Sequence, residues 1–222
     1  MTRFLAALLL VSGVLFGECR GKIDIGPVLM KVELLKFGKP EQTYHMNGVR
    51  GALDYFVYKP VFVRLTGIST LGKHRSHFQT YTAGVGACIP YCQFYFTPSV
   101  GVSYSHFKAR NGQLTDFQLF NLKQEFTGLG PYVGFEVLWK ITETWRVGGG
   151  FQYSWSNTRS SLEDVFSHAK GNSQGPTWTF LLEKDINQQW SINFGAAYNR
   201  SLDREKHGLR AQGIKVGLTY WL

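Results

Sequence analysis

The chain has 222 residues, enough for one domain or two small ones, and carries 24 Lys and Arg against 15 Asp and Glu, a formal net charge of +9. Charged residues make up only 18% while aromatics reach 15%, and there are 25 Gly against 7 Pro. That mixture excludes a disordered chain, and it argues against a helical bundle because Gly and aromatic residues are poor helix formers while aromatics favour strands.

Met1-Thr2-Arg3 makes a short positive start, and residues 4–16 form an apolar run broken only by Ser12 and Gly13. Gly17-Glu18-Cys19-Arg20 then turns polar. This is the order of a secretory signal peptide, and the 13 residues of the run are too few for a membrane-spanning helix. Small residues at Gly17 and Cys19 suit cleavage after Cys19, so residues 1–19 are read as a removable signal and 20–222 as the mature domain. Glu18, directly before the cysteine, disfavours lipid attachment there.

Period-two alternation dominates the mature domain, the mark of strands with unlike faces. Ten strands are predicted at residues 27–37, 46–58, 61–71, 78–88, 93–107, 122–139, 145–156, 176–184, 190–200 and 210–222. An eight-strand arrangement, with the N-terminal segments paired differently, stays open. In the fifth strand Phe94, Phe96, Pro98, Val100, Val102 and Tyr104 alternate with Tyr95, Thr97, Ser99, Gly101, Ser103 and Ser105. In the ninth, Trp190, Ile192, Phe194, Ala196 and Tyr198 alternate with Ser191, Asn193, Gly195 and Ala197. With Cys19 lost, Cys88 and Cys92 remain, and in an exported protein the default is a local disulfide pinning the turn between two strands. A metal or redox pair is discounted because no His, Cys or acidic residue lies near them in sequence.

The connections alternate between short turns and longer polar loops, which describes an all-β, up-and-down antiparallel barrel with two unequal ends. The oily face is read as lipid-facing. The opposite face is rich in Gly, Ser, Thr, Asn and Gln, which suit a narrow lumen, whereas a soluble strand surface carries many Lys and Glu. Trp139, Trp145, Trp190 and Trp221 sit by short turns or the C-terminus, with Trp155 and Trp178 at the far strand ends, as expected of aromatic girdles at two membrane boundaries.

The chain closes on Lys215-Val216-Gly217-Leu218-Thr219-Tyr220-Trp221-Leu222. Lys215, Gly217, Tyr220 and Leu222 keep the spacing of the terminal assembly signal of bacterial outer-membrane barrels, although Leu222 stands where an aromatic residue is usual. The whole chain resembles the small outer-membrane β-barrel superfamily of Gram-negative bacteria, the group holding the OmpW-like and opacity-type proteins. That resemblance implies outer-membrane localisation, periplasmic N- and C-termini, assembly by the barrel machinery, and contact with outer-membrane lipid and lipopolysaccharide.

Parity assigns Lys31, Glu33, Asp54, Arg64, Glu136, Arg146, Glu183 and Lys215 to the lumen, four acids and four bases, which favours a self-neutralising network over an open pore. The loops are basic at Lys73, His74, Arg75, Lys108, Arg110, Arg204, Lys206 and Arg210, a rim suited to lipopolysaccharide phosphates or host polyanions. Nucleic acid is disfavoured, because no fold signature for it is present and the chain is exported. No catalytic residue, metal site or cofactor is expected: Ser105 and His106 are adjacent and point to opposite faces, and no motif links the loop acids and histidines. The expected role is a non-enzymatic surface-exposed structural or interaction protein. A narrow porin-like pore and a lipid-modifying or proteolytic barrel enzyme are the alternatives.

Overall fold

The computed structural model describes residues 19–73, 75–115, 118–162 and 167–222, with side chains described outside 110–124 and 160–170. The wall is built from β1 (Lys22–Lys36), β2 (Lys39–Tyr58), β3 (Val61–Gly72), β4 (His77–Ala87), β6 (Phe94–Thr115), β7 (Gln118–Lys140), β8 (Trp145–Leu162), β9 (Ser167–Asp185), β10 (Trp190–Leu202) and β11 (Gly208–Trp221). β5 (Ile89–Tyr91) is a short hairpin arm against β6. Every neighbour in the wall is antiparallel, β1 pairs with β11, and β4 pairs with β6, so the sheet closes into a ten-strand barrel. Ten, not eight, is the count.

The ends differ. Both ends of the barrel chain, Lys22 and Trp221, meet at one end, together with the turns at 59–60, 88–93, 141–144 and 186–189. This is the turn end. Its turns cap themselves: Asn187 Oδ1 accepts from the backbone N–H of Gln189 and Trp190, both at 2.9 Å. At the opposite loop end, the predicted loop at 38–45 is instead a two-residue turn. Phe37 and Gly38 both have positive φ, 51° and 77°, as a tight hairpin with matching twist requires.

The strands likewise extend into the two largest expected loops. β6 and β7 pair out to Thr115 and Gln118, and β8 and β9 out to Leu162 and Ser167. The barrel therefore rises well beyond the predicted strand ends on this side.

Cysteine pairing corrects the expectation. Cys88 is bonded to Cys19, 6.2 Å away between Cα atoms, and Cys92 is exposed and free. Between Cys88 and Cys92 the chain runs out along β5, so four extended steps separate them by about 13 Å, beyond a disulfide's reach. Cys92 sits at the hairpin tip with φ 53°. The bridge requires Cys19 to remain with the barrel, so cleavage after Cys19 is incompatible with it.

Candidate functional site

The outer face carries an apolar belt. Along β7 from the turn end, the outward residues are Trp139, Val137, Phe135, Val133, Pro131 and Leu129; the next two are Thr127 and Glu125. Ten residue steps from Trp139 to Leu129, tilted as in membrane barrels, give a band about 25 Å tall, the height of a hydrocarbon core. β8 repeats this with Trp145, Val147, Gly149, Phe151, Tyr153 and Trp155 before Asn157 and Arg159. Trp139, Trp145, Trp190, Trp155 and Trp178 all remain between 37% and 55% exposed, as residues facing lipid must. Trp221 departs from the expected girdle. It points into the bore, where its Nε1 donates to Ser191 Oγ at 2.6 Å and Arg146 lies over its ring at 4.8 Å.

Above the belt, toward the loop end, the outer wall turns polar and forms a collar. Here His106 lies 3.8 Å from Glu125 and 3.3 Å from the Thr127 hydroxyl. Lys31 and Glu33 belong to this collar and not to the lumen, a second correction. Glu33 is flanked in sequence by Val32 and Leu34, which point inward, and it faces Arg210, flanked by inward Leu209 and Ala211. The sense of the alternation inverts along β1. Ile23, Ile25 and Leu29 face out at belt height over inward Asp24, whereas higher up Lys31 and Glu33 face out over inward Val32. Outside hydrocarbon the outer wall meets water, so it follows the rule of a soluble barrel.

The bore has two layers. The layer nearer the turn end is ionic. Arg64 grips Asp54 through two hydrogen bonds of 2.7 and 2.9 Å and reaches Glu136 at 2.6 Å. Arg146 bonds Glu183 at 2.6 Å and holds both carboxylate oxygens of Asp185, at 2.9 and 2.6 Å. Asp24 takes Arg50 at 2.7 Å as well as Lys215, Asn193 and Thr219. Every predicted lumen charge except Lys31 and Glu33 thus sits in this layer with an opposite charge beside it. Asp24, Arg50 and Asp185 also belong to it, as does Lys22, 3.9 Å from Asp54, and none of these four is in the lumen set predicted from the sequence. Asp24 precedes the predicted start of the first strand, Asp185 lies past the predicted end of its strand at 184, and Arg50 shares the parity of Asp54 within the predicted strand 46–58.

The layer nearer the loop end is apolar. Val32, Tyr44, Met46, Phe78, Phe107, Ala109, Leu209 and Ala211 form one buried cluster, with Met30, Leu34 and Phe126 against it. Phe107 is fully buried, and its ring meets that of Tyr44, three strands away in the wall, at 5.1 Å. Between the layers Tyr132, 3% exposed, reaches the β4 wall at Gly84.

The basic residues expected in loops are dispersed. Lys73 and Arg75 lie at the β3–β4 turn, Arg204 and Lys206 at the β10–β11 turn, and Lys108 in β6; His74 and the Arg110 side chain lie outside the described residues. Arg210 is a third correction, since it sits in β11 bonded to Glu33. That bond, with Lys31 at 2.7 Å, holds the Glu33 carboxyl below the ordinary carboxylate range. Asp203 accepts the backbone N–H of Glu205 and His207 at 2.9 and 2.8 Å, so it shapes the β10–β11 turn. Among the described residues no cluster of His, Cys, Asp or Glu is arranged to hold a metal.

This barrel fold recurs in solved structures. The chain is similar to the outer membrane protease OmpT of Escherichia coli, at 12% identity and TM-score 0.61, over 91% of this chain and 97% of that one. It is similar also to the translocator domain of the autotransporter NalP from Neisseria meningitidis, at 10% identity and TM-score 0.51, over 99% and 94%. The chain has the fold of the outer-membrane β-barrels. No protein-family model and no curated protein matches the sequence. Those two neighbours, a protease and a translocator, carry different activities on one fold, so function must be argued from this chain's own residues.

Proposed function

We propose that this outer-membrane barrel is sealed, that its turn end faces the periplasm, and that it works through the collar and loops it raises above the outer leaflet. Its role on this reading is binding at the cell surface, without catalysis or passage of solutes. The observation that carries the reading is the double filling of the bore. The ionic layer sets an opposite charge beside each of its charges, and the apolar layer above it packs Tyr44 and Phe107 together inside the bore. Ten-strand barrels lie near the size that side chains can fill, so no aqueous path is needed to explain the polar lumen. Surplus Lys and Arg at the loop end, at Lys73, Arg75, Arg204 and Lys206, suits polyanionic partners such as sulfated host glycans.

Planar-bilayer recording tests the seal. The folded protein is expected to give no discrete current steps, and a reproducible unit conductance would replace this reading with that of a narrow pore. Retention on immobilised heparin, weakening as salt rises, tests the surface role. Passage through the column at low salt would refute it.

A further inference from the structure

Lys36-Phe37-Gly38-Lys39 joins β1 to β2, and this tip breaks two rules of a tight hairpin. Phe37 has φ 51° in a turn whose central pair both need positive φ, where Asn or Asp ordinarily precedes Gly. A bulky aromatic residue is rarely held in that conformation. Lys36 and Lys39 stand directly opposite each other, and like charges so placed repel. Burial does not compensate, because Phe37 is 66% exposed. Hydrocarbon does not cover it either. From Leu29, the last outward belt residue of β1, the strand lifts Phe37 about 20 Å above the belt. The phosphates of the leaflet, within about 7 Å of the hydrocarbon, lie well below it.

The tip is clasped to its neighbour. Gly38 N–H donates to the Lys206 carbonyl oxygen at 2.7 Å, which ties it to the β10–β11 turn. The Phe37 ring meets His207 edge-on, 4.7 Å between centroids. A Cβ added at Gly38 would lie 3.7 Å from the Lys206 side chain and 3.6 Å from the Arg200 guanidinium, so both cations border the tip. The acids here have partners. Glu41 lies 3.7 Å from Lys36, and Asp203 and Glu205 face His207 at 3.9 and 3.7 Å. Among the described residues Lys39, Arg204 and Lys206 have no carboxylate partner. Two hairpin tips thus hold an open aromatic ring among uncommitted cations.

We infer that the clasped tips of β1–β2 and β10–β11 seat a sulfated saccharide. One sugar ring stacks on the open face of Phe37, and its sulfates reach Lys39, Arg204 and Lys206. A sugar ring offers a C–H face that packs on an aromatic ring, while the sulfate esters on its rim stay charged and meet the cations. Cations alone would take any polyanion. The aromatic platform is what separates a saccharide from the rest. It also accounts for the tip's broken rules, since local preference gives way where a site needs a particular side chain. The inference rests on the proposed surface role and names its ligand class and seat; it requires nothing of the bore.

The test uses the full folded chain in uncharged detergent micelles and calorimetry at low salt, with a heparin oligosaccharide and inorganic polyphosphate as probes. The wild type is expected to bind both. Phe37→Asn installs the residue the turn prefers, so its urea midpoint should hold or rise. Its affinity for the oligosaccharide should nevertheless fall about tenfold, while that for polyphosphate stays. Lys39→Gln and Lys206→Gln should weaken both probes. Phe37→Gly, which also suits positive φ, repeats the comparison and decides should Phe37→Asn not assemble. Unchanged oligosaccharide binding by the folded Phe37 variant overturns the inference, and equal loss of both probes overturns its saccharide half. A wild type that binds polyphosphate and not the oligosaccharide refutes this inference alone; one that binds neither refutes the polyanion reading beneath it.

Discussion

Tyr44 and Phe107 meet ring to ring inside the barrel, 5.1 Å between centroids, although β3 and β4 separate their strands in the wall. The contact lies inside the bore, and Phe107 has no exposed surface at all. Phe107→Ala removes the middle of the apolar layer, with a cost of about 3–5 kcal/mol for emptying a filled aromatic site. Urea-induced unfolding in micelles, followed by tryptophan fluorescence, measures it. A loss below about 1 kcal/mol would mean that the layer is loosely packed.

Arg64 joins three strands by bonding Asp54 on β2 and Glu136 on β7 from its place on β3. Arg64→Ala leaves Asp54, which is 6% exposed, without its chief partner, at a cost of about 3–5 kcal/mol in the same assay. Arg64→Lys keeps the charge and loses the two-pronged grip on Asp54, so it should fall between wild type and Ala. Equal stability of Ala and wild type would show that water, not Arg64, satisfies Asp54.

The belt and collar differ in what they tolerate. Phe194→Arg, halfway along the outward row of β10, should cost about 2–4 kcal/mol, whereas Thr127→Arg in the collar should cost about 0–1. Folding yields into lipid vesicles at matched protein concentration compare the two. Similar losses at both sites would place the membrane boundary elsewhere.

Much of the belt was legible because hydrocarbon demands an oily outer face, and period two then marks each strand. The predicted starts at 61, 145 and 190 coincide with Val61, Trp145 and Trp190. Legibility failed where that demand ends. Beyond Leu129 and Trp155 the outer face turns polar and the oily-out alternation is lost, so the upper reaches of β6 to β9 read as loops. In the same zone the inward face turns apolar, which put Lys31 and Glu33 on the wrong side. The bridge from Cys19 to Cys88 joins positions 69 residues apart, and no local spacing encodes such a contact.

Thiol counting separates the three cysteine states. Alkylation of the unreduced, denatured mature protein should label one thiol, Cys92, and intact mass should place the N-terminus at or before Cys19. Two labelled thiols would mean that Cys19 is cut away, and none would mean a bridge between Cys88 and Cys92.

The seam between β1 and β11 is tight at Gly26. A methyl there would lie 2.1 Å from the Val216 carbonyl oxygen and 2.6 Å from Gly217 Cα, both backbone atoms that cannot yield without moving a strand. Gly26→Ala should therefore lower the folded fraction sharply on heat-modifiability gels. Assembly at the wild-type level would show that the seam can widen.

β11 brings more than its hydrogen-bonding edge to the seam. It carries Lys215 and Thr219 to Asp24, and Trp221 to Ser191 and Arg146. Until the final strand docks, carboxylate, hydroxyl and guanidinium groups of three other strands lack these partners in a space that water is leaving. Zipping the cylinder shut therefore also completes the polar network around Asp24, Ser191 and Arg146.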